Sequence, residues 1–110
     1  MQHALVAAEN VLREELQLAN EAIKRGGRSE EFRYLPDARP GPENLFSAHL
    51  TLSEGASVLR DYLITVGASD GKIIVRRQSG TIQQTLTNIL DVRREDWLKF
   101  LSGMYEGSIR

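Results

Sequence analysis

The feature that most constrains this chain is a change of hydrophobic period. Residues 2–25 follow a helical repeat, with Leu5, Leu12 and Ala19 seven apart and Leu16 and Ile23 four after the last two. That spacing predicts one long amphipathic helix with a wide apolar face. Asn10, Arg13, Glu14, Gln17, Glu21 and Lys24 fall on its other face, and Gly26-Gly27 supplies the stop. At about 1.5 Å per residue the helix is roughly 36 Å long. It must therefore lie across a sheet or pair with a second copy, and the width of the stripe favours a sheet.

From Leu45 the period is two. Phe46, Ala48, Leu50 and Leu52 alternate with Ser47, His49 and Thr51, the pattern of a half-buried strand. Val58–Val66 and Lys72–Gln78 read as the next two strands, the second entered through an Asp70-Gly71 hairpin signal. Residues 82–92 fit either a fourth strand or a helix. Ile82, Leu86, Ile89 and Leu90 have helical spacing, and Thr81 with Gln84 could form a capping box. Two threonines and the preceding Ser79-Gly80 turn favour the strand. Asp91 or a neighbour then opens a helix running to about Tyr105. Its apolar face is Trp97, Leu98, Phe100, Leu101, Met104 and Tyr105, with Glu95 and Asp96 in the first turn and Gly107 at the end.

These readings predict an α+β fold: a long N-terminal helix, an antiparallel meander of three to four strands and a C-terminal helix packed on the sheet. At 110 residues the chain is expected to be a single domain. The expected divisions are a helix over 1–27, a connection over 28–44, a sheet over 45–92 and a helix over 93–106. The connection, RSEEFRYLPDARPGPEN, holds all three prolines and reads as a loop pinned to the body by Phe32, Tyr34 and Leu35. A loop of that length is a functional candidate, and those three residues are the candidate protein-binding set.

The chemistry is mostly one of exclusions. There is no cysteine, and the two histidines, His3 and His49, lack ligand spacing, so no metal is expected. Gly67-Ala-Ser-Asp-Gly-Lys72 superficially suggests a phosphate loop. It is one residue short, Ile73 stands where a magnesium-holding hydroxyl belongs, and a strand follows rather than a helix. No nucleophile elbow occurs, so no catalytic residue and no cofactor are expected. His49, on the polar side of its strand between Ser47 and Thr51, is placed as a general base would be, and a surface or hydrogen-bonded histidine, the favoured reading, has the same placement. The adjacent pairs Glu14-Glu15 and Glu30-Glu31 read as solvated charge, and Glu14 and Glu15 diverge by about 100° around their helix. The starting segment is too short and too polar for a leader or a membrane span, and the expected location is cytoplasmic.

Formal net charge is -1, but the second half is the more basic. Lys72 and Arg76 alternate on one strand with Arg77 beside them, and Arg60 and Tyr62 share a side of the preceding strand. Cations with an aromatic ring on a sheet suit single-stranded nucleic acid, the charge for phosphate and the ring for stacking. Asp91-Val92-Arg93-Arg94-Glu95-Asp96-Trp97 resembles the strand-to-helix junction of the positive-cofactor-four type of transcriptional coactivator, and the Gly71-Lys72 hairpin is also similar. The resemblance spans about 35 residues and excludes the long helix and the proline-rich connection. It implies single-stranded DNA binding through the sheet of a dimer.

Two functions follow from these residues. The first is a small non-enzymatic interaction module (an adaptor, inhibitor or assembly factor) that binds another protein. The second is a nucleic-acid module using Arg60, Tyr62, Lys72, Arg76 and Arg77. A homodimer through the sheet or the first helix is compatible with both.

Overall fold

A computed structural model describes residues 2–78 and 83–107. The order is α1 (Gln2–Arg25), β1 (Glu30–Pro36), β2 (Asn44–Glu54), β3 (Ser57–Gly67), β4 (Lys72–Arg77), β5 (Gln83–Asn88) and α2 (Arg94–Glu106). The strands form one antiparallel sheet in sequence order, each paired with its neighbour in the chain. The α+β architecture is as expected, with five strands rather than three or four.

The additional strand is β1, inside the segment read as a loop. Its Phe32 and Tyr34 alternate with Glu31, Arg33 and Leu35, and it pairs with β2 from Glu30↔Glu54 to Pro36↔Ala48. Proline ends it rather than forbidding it, because β1 is an edge strand and proline needs no partner there. The loop proper is confined to 37–43. Gln83–Asn88 is a strand, and the irregularity opposite Ile73/Ile74 accounts for its broken alternation. Ser79, Gly80, Thr81 and Ile82, and with them the Thr81–Gln84 box, lie outside the described residues.

Both helices cover the same side of the sheet. Leu12 and Leu16 of α1 and Phe100, Leu101 and Met104 of α2 pack with Leu50, Leu52, Ile64, Val66, Ile73 and Val75 in one core. Burying each such side chain contributes roughly 1.5–3 kcal/mol. The stripe on α1 thus faces its own sheet. The helix ends as its glycines require. Gly27 is left-handed (φ 74°), with Arg28 N–H bonded to the Ile23 carbonyl and Gly27 N–H to that of Lys24. At the start of α2 the Asp96 carboxylate accepts from the Arg93 N–H at 2.8 Å, so Arg93 rather than Asp91 is the cap. The Asp70-Gly71 hairpin is present, but only Gly71 has positive φ, and the Asp70 side chain instead accepts from the Lys72 N–H.

Glu14 and Glu15 are not ordinary solvated charge. Both bind Arg94 at the start of α2, and Glu15 is buried.

Candidate functional site

With both helices on one side, the other face of the sheet has no described helix over it, and the loop after β1 covers part of β2 there. Side chains alternate along a strand and paired residues share a face, so the register defines what this face displays. One row crosses all five strands: Leu35, His49, Leu63, Arg76 and Gln83. A second holds Ser47, Thr65, Ile74 and Thr85, and a third Arg33, Thr51 and Asp61. A shallow depression of about 220 Å³ sits across β3 and β4. Leu63, Thr65 and Ile74 line it, with Asn44, Arg76 and Gln83 around them. Outside the depression Leu35 and Leu59 are exposed, at 68% and 43% accessibility.

Beside this depression the loop after β1 brings Asp37 over β2. Ser47 Oγ donates to Asp37 Oδ2 at 2.5 Å, and His49 Nε2 stands 3.4 Å from Oδ1. Gln78 Nε2 lies 2.7 Å from His49 Nδ1. With the amide donating, Nδ1 accepts and the imidazole proton sits on Nε2, facing Asp37. Sequence reading selected His49 but not Asp37 or Gln78, which reach it only through the fold. The arrangement orients the ring, but it does not activate a nucleophile. The serine proton goes to the carboxylate and not to the imidazole, and Ser47 is buried.

The candidate protein-binding residues separate. Phe32 is in the core. Tyr34 also turns to the helical side, where its hydroxyl donates to Glu9 at 2.7 Å and the Arg13 guanidinium lies over its ring. Burial, helped by the bond to Glu9, pushes the Tyr34 phenol far above its usual range. Leu35 alone of the three is on the uncovered face.

The candidate nucleic-acid residues also divide. Lys72 and Arg76 lie on the uncovered face. Tyr62 is 2% exposed, edge-on against Phe100, so its ring is not a stacking platform. Arg77 pairs with Tyr62 in register and shares its side. Arg60 reaches under the end of α2 to the Tyr105 carbonyl at 3.3 Å. The expected common surface for these five does not form. Alternation along β3 puts Arg60 with Tyr62 but does not say which side is covered, and Ile64 and Val66 take that side into the core.

A second concavity, about 310 Å³, lies on the helical side between the ends of α1 and α2, lined by Ala19, Ala22, Leu98 and Leu101. At its end Glu30 accepts from the Tyr105 hydroxyl at 2.7 Å and from Arg28 Nε at 3.1 Å. The Tyr105 bond, with Arg28 beside it, holds the Glu30 carboxyl below its ordinary range. No group of three or more metal-ligating side chains occurs among the described residues, and no described helix is long and apolar enough to cross a membrane.

No family model matches the chain, and no curated protein or solved structure matches it either.

Proposed function

We infer that this is a non-enzymatic protein-interaction module, an adaptor, inhibitor or assembly factor, and that it docks its partner on the helix-free face of the sheet. One observation carries the reading: all five strands contribute to a face with no described helix over it, at whose centre Leu63 and Ile74 are ringed by Thr65, Asn44, Arg76, Gln83 and His49. An apolar centre with a polar rim is the anatomy of a protein interface. The rigidity of a laddered sheet lowers the ordering cost of binding. The bonding of Ser47 to Asp37, away from His49, supports a positioning role for that cluster over an acid–base one.

A single-stranded nucleic acid is the other candidate occupant. Of the five residues suited to it only Lys72 and Arg76 are on this face, Arg33 there is paired with Glu31, Asp37 and Asp61 oppose the other cations, and the one ring among the five is buried. That balance of charge favours a protein.

The experiment is affinity capture by the tagged chain from a lysate of its source, with and without nuclease, repeated with Leu63→Arg. A stoichiometric protein that survives nuclease and is lost with Leu63→Arg is the expected result. Equal capture by both would exclude this face. Salt-sensitive oligonucleotide binding, lost on nuclease treatment, would move the function to nucleic acid.

A further inference from the structure

The two edges of the sheet are built differently. The β1 edge is closed. Asn20 of α1 lies along it and bonds both backbone groups of a single residue: its Nδ2 donates to the Phe32 carbonyl at 3.0 Å, and its Oδ1 accepts from the Phe32 N–H at 2.8 Å. A primary amide set against a peptide group in this way takes the place of a neighbouring strand. Pro36 has no N–H to offer, and Glu30, Glu31 and Arg33 put charge along the same strand. Arg33 also turns its guanidinium to the Gly55 carbonyl at 3.2 Å. Charge, proline and a covering side chain are the usual means of blocking strand addition.

Among the described residues the β5 edge has no charge, no proline and no covering side chain, and its one irregularity is the bulge at Leu86. Gln83–Asn88, QQTLTN, contains no charge and no proline. Among the described residues it pairs with β4 alone, and no described side chain bonds to the backbone of residues 83–87. The Asn88 carbonyl is turned into the next loop, where the N–H groups of Asp91 and Val92 take it. Upstream of it β5 has no second neighbouring strand among the described residues, its backbone ladder is interrupted only at Leu86, and Gln83, Gln84 and Thr85 are exposed.

We propose that β5 pairs antiparallel with β5 of a second copy across a two-fold axis, joining two five-stranded sheets into one. A two-fold contact sets the same residues against each other, so any charge on the strand meets its like. On β5 no register brings charge to charge, because the strand carries none. On β1 self-pairing centred at Arg33 would oppose two guanidinium groups. An edge meant for a foreign strand has no need to be free of charge, and opposite charges there would help select the partner. The absence of charge fits a strand that pairs with itself. Gln83 and Thr85 also display side chains on the helix-free face, but the edge pairs through backbone groups and that face is read through Leu63, so either can fail without the other.

The test is the mass of the full chain by sedimentation equilibrium over a wide concentration range. Expected is a rise from 12.4 kDa to twice that value. Thr85→Lys and Thr85→Glu each place like charges across the axis and should weaken association by about tenfold or more, while an equimolar mixture of the two restores it. Arg33→Glu on the other edge and Leu63→Ser on the helix-free face should leave the mass curve unchanged. A monomer at every concentration overturns the proposal. So does association indifferent to both Thr85 variants, or association lost with Leu63→Ser. Should the Thr85 variants not fold, amide exchange of the unaltered chain decides. Protection of residues 83–87 that grows with concentration supports the edge, and protection that does not change overturns it.

Discussion

Arg94 Nη1 donates to Glu15 Oε1 at 2.6 Å across the junction of the two helices, between residues 79 positions apart. Glu15 lies within the apolar stripe of α1 and is 7% exposed, so its charge has little water to lean on. Arg94 also holds Glu14 at 2.6 Å through its other terminal nitrogen. Adjacent carboxylates diverge around a helix, and the planar guanidinium fork spans the gap. Arg94→Met leaves a buried carboxylate without its partner. Its melting temperature should fall well below that of Arg25→Ala, which removes only an exposed pair with Glu21 worth a few tenths of a kcal/mol. The double replacement Glu15→Leu with Arg94→Leu should recover most of the loss, since an apolar pair needs no charge balance. Thermal melts of the four proteins test this, and a double variant as unstable as Arg94→Met would contradict it.

Asn20→Ala strips the cover from β1. Two hydrogen bonds are lost and the N–H and C=O of Phe32, a residue otherwise in the core, lose their partners. The expected cost is about 1–3 kcal/mol. Asn20→Asp keeps the acceptor for the N–H but sets a carboxylate against the Phe32 carbonyl, so it should not rescue. Denaturant unfolding gives the energy, and faster exchange at the Phe32 amide localises it. Unchanged exchange there would show that the amide contact contributes nothing.

Leu12 separates internal packing of α1 from a role as an interface. It is 1% exposed within the core shared by the helix and the sheet. Leu12→Ala should cost about 2–5 kcal/mol, and Leu12→Asp should unfold the chain. Leu98, half-exposed on α2, should tolerate serine within about 0.5 kcal/mol. Circular dichroism melts check both. A folded Leu12→Asp protein with altered mass would instead make the stripe an intermolecular surface.

Elements whose period holds over many residues could be read directly. α1, with its glycine stop, is one, and the central strands and α2 are others. β1 was obscured because Pro36, Pro40 and Pro42 dominate its surroundings, although Phe32 and Tyr34 already alternate with Arg33 and Leu35. β5 was ambiguous because its irregularity puts Leu86 out of step with a period of two. The site was harder to read for a different reason. Alternation groups residues by face, but only packing says which face the helices cover. For β3 both options looked apolar, with Leu59 and Leu63 on one side and Tyr62, Ile64 and Val66 on the other. Asp37 and Gln78 meet His49 from a loop and from the end of β4, a juxtaposition that no local spacing encodes.

Tyr105 and Glu30 make stability depend on pH at both ends of the scale. The Tyr105 hydroxyl, then Arg28, hold the Glu30 carboxyl below its ordinary value of 4.5. A carboxyl depressed in the folded state stabilises fully above its unfolded value, and that contribution disappears as pH falls through the folded one. The same hydrogen bond raises the Tyr105 phenol above its ordinary value of 10.0. A raised phenol stabilises fully below its unfolded value and loses the contribution as pH climbs through the folded one. Tyr105→Phe removes the titrating phenol and the largest cause of the Glu30 shift, leaving that of Arg28, while keeping the ring against Phe32. The gap in melting temperature between the two proteins should therefore be widest between about pH 5 and 9 and should close towards either extreme. Melts from acid to alkaline pH measure it. A gap that is the same at every pH would mean that Tyr105 acts through packing alone and that the hydrogen bond to Glu30 contributes nothing.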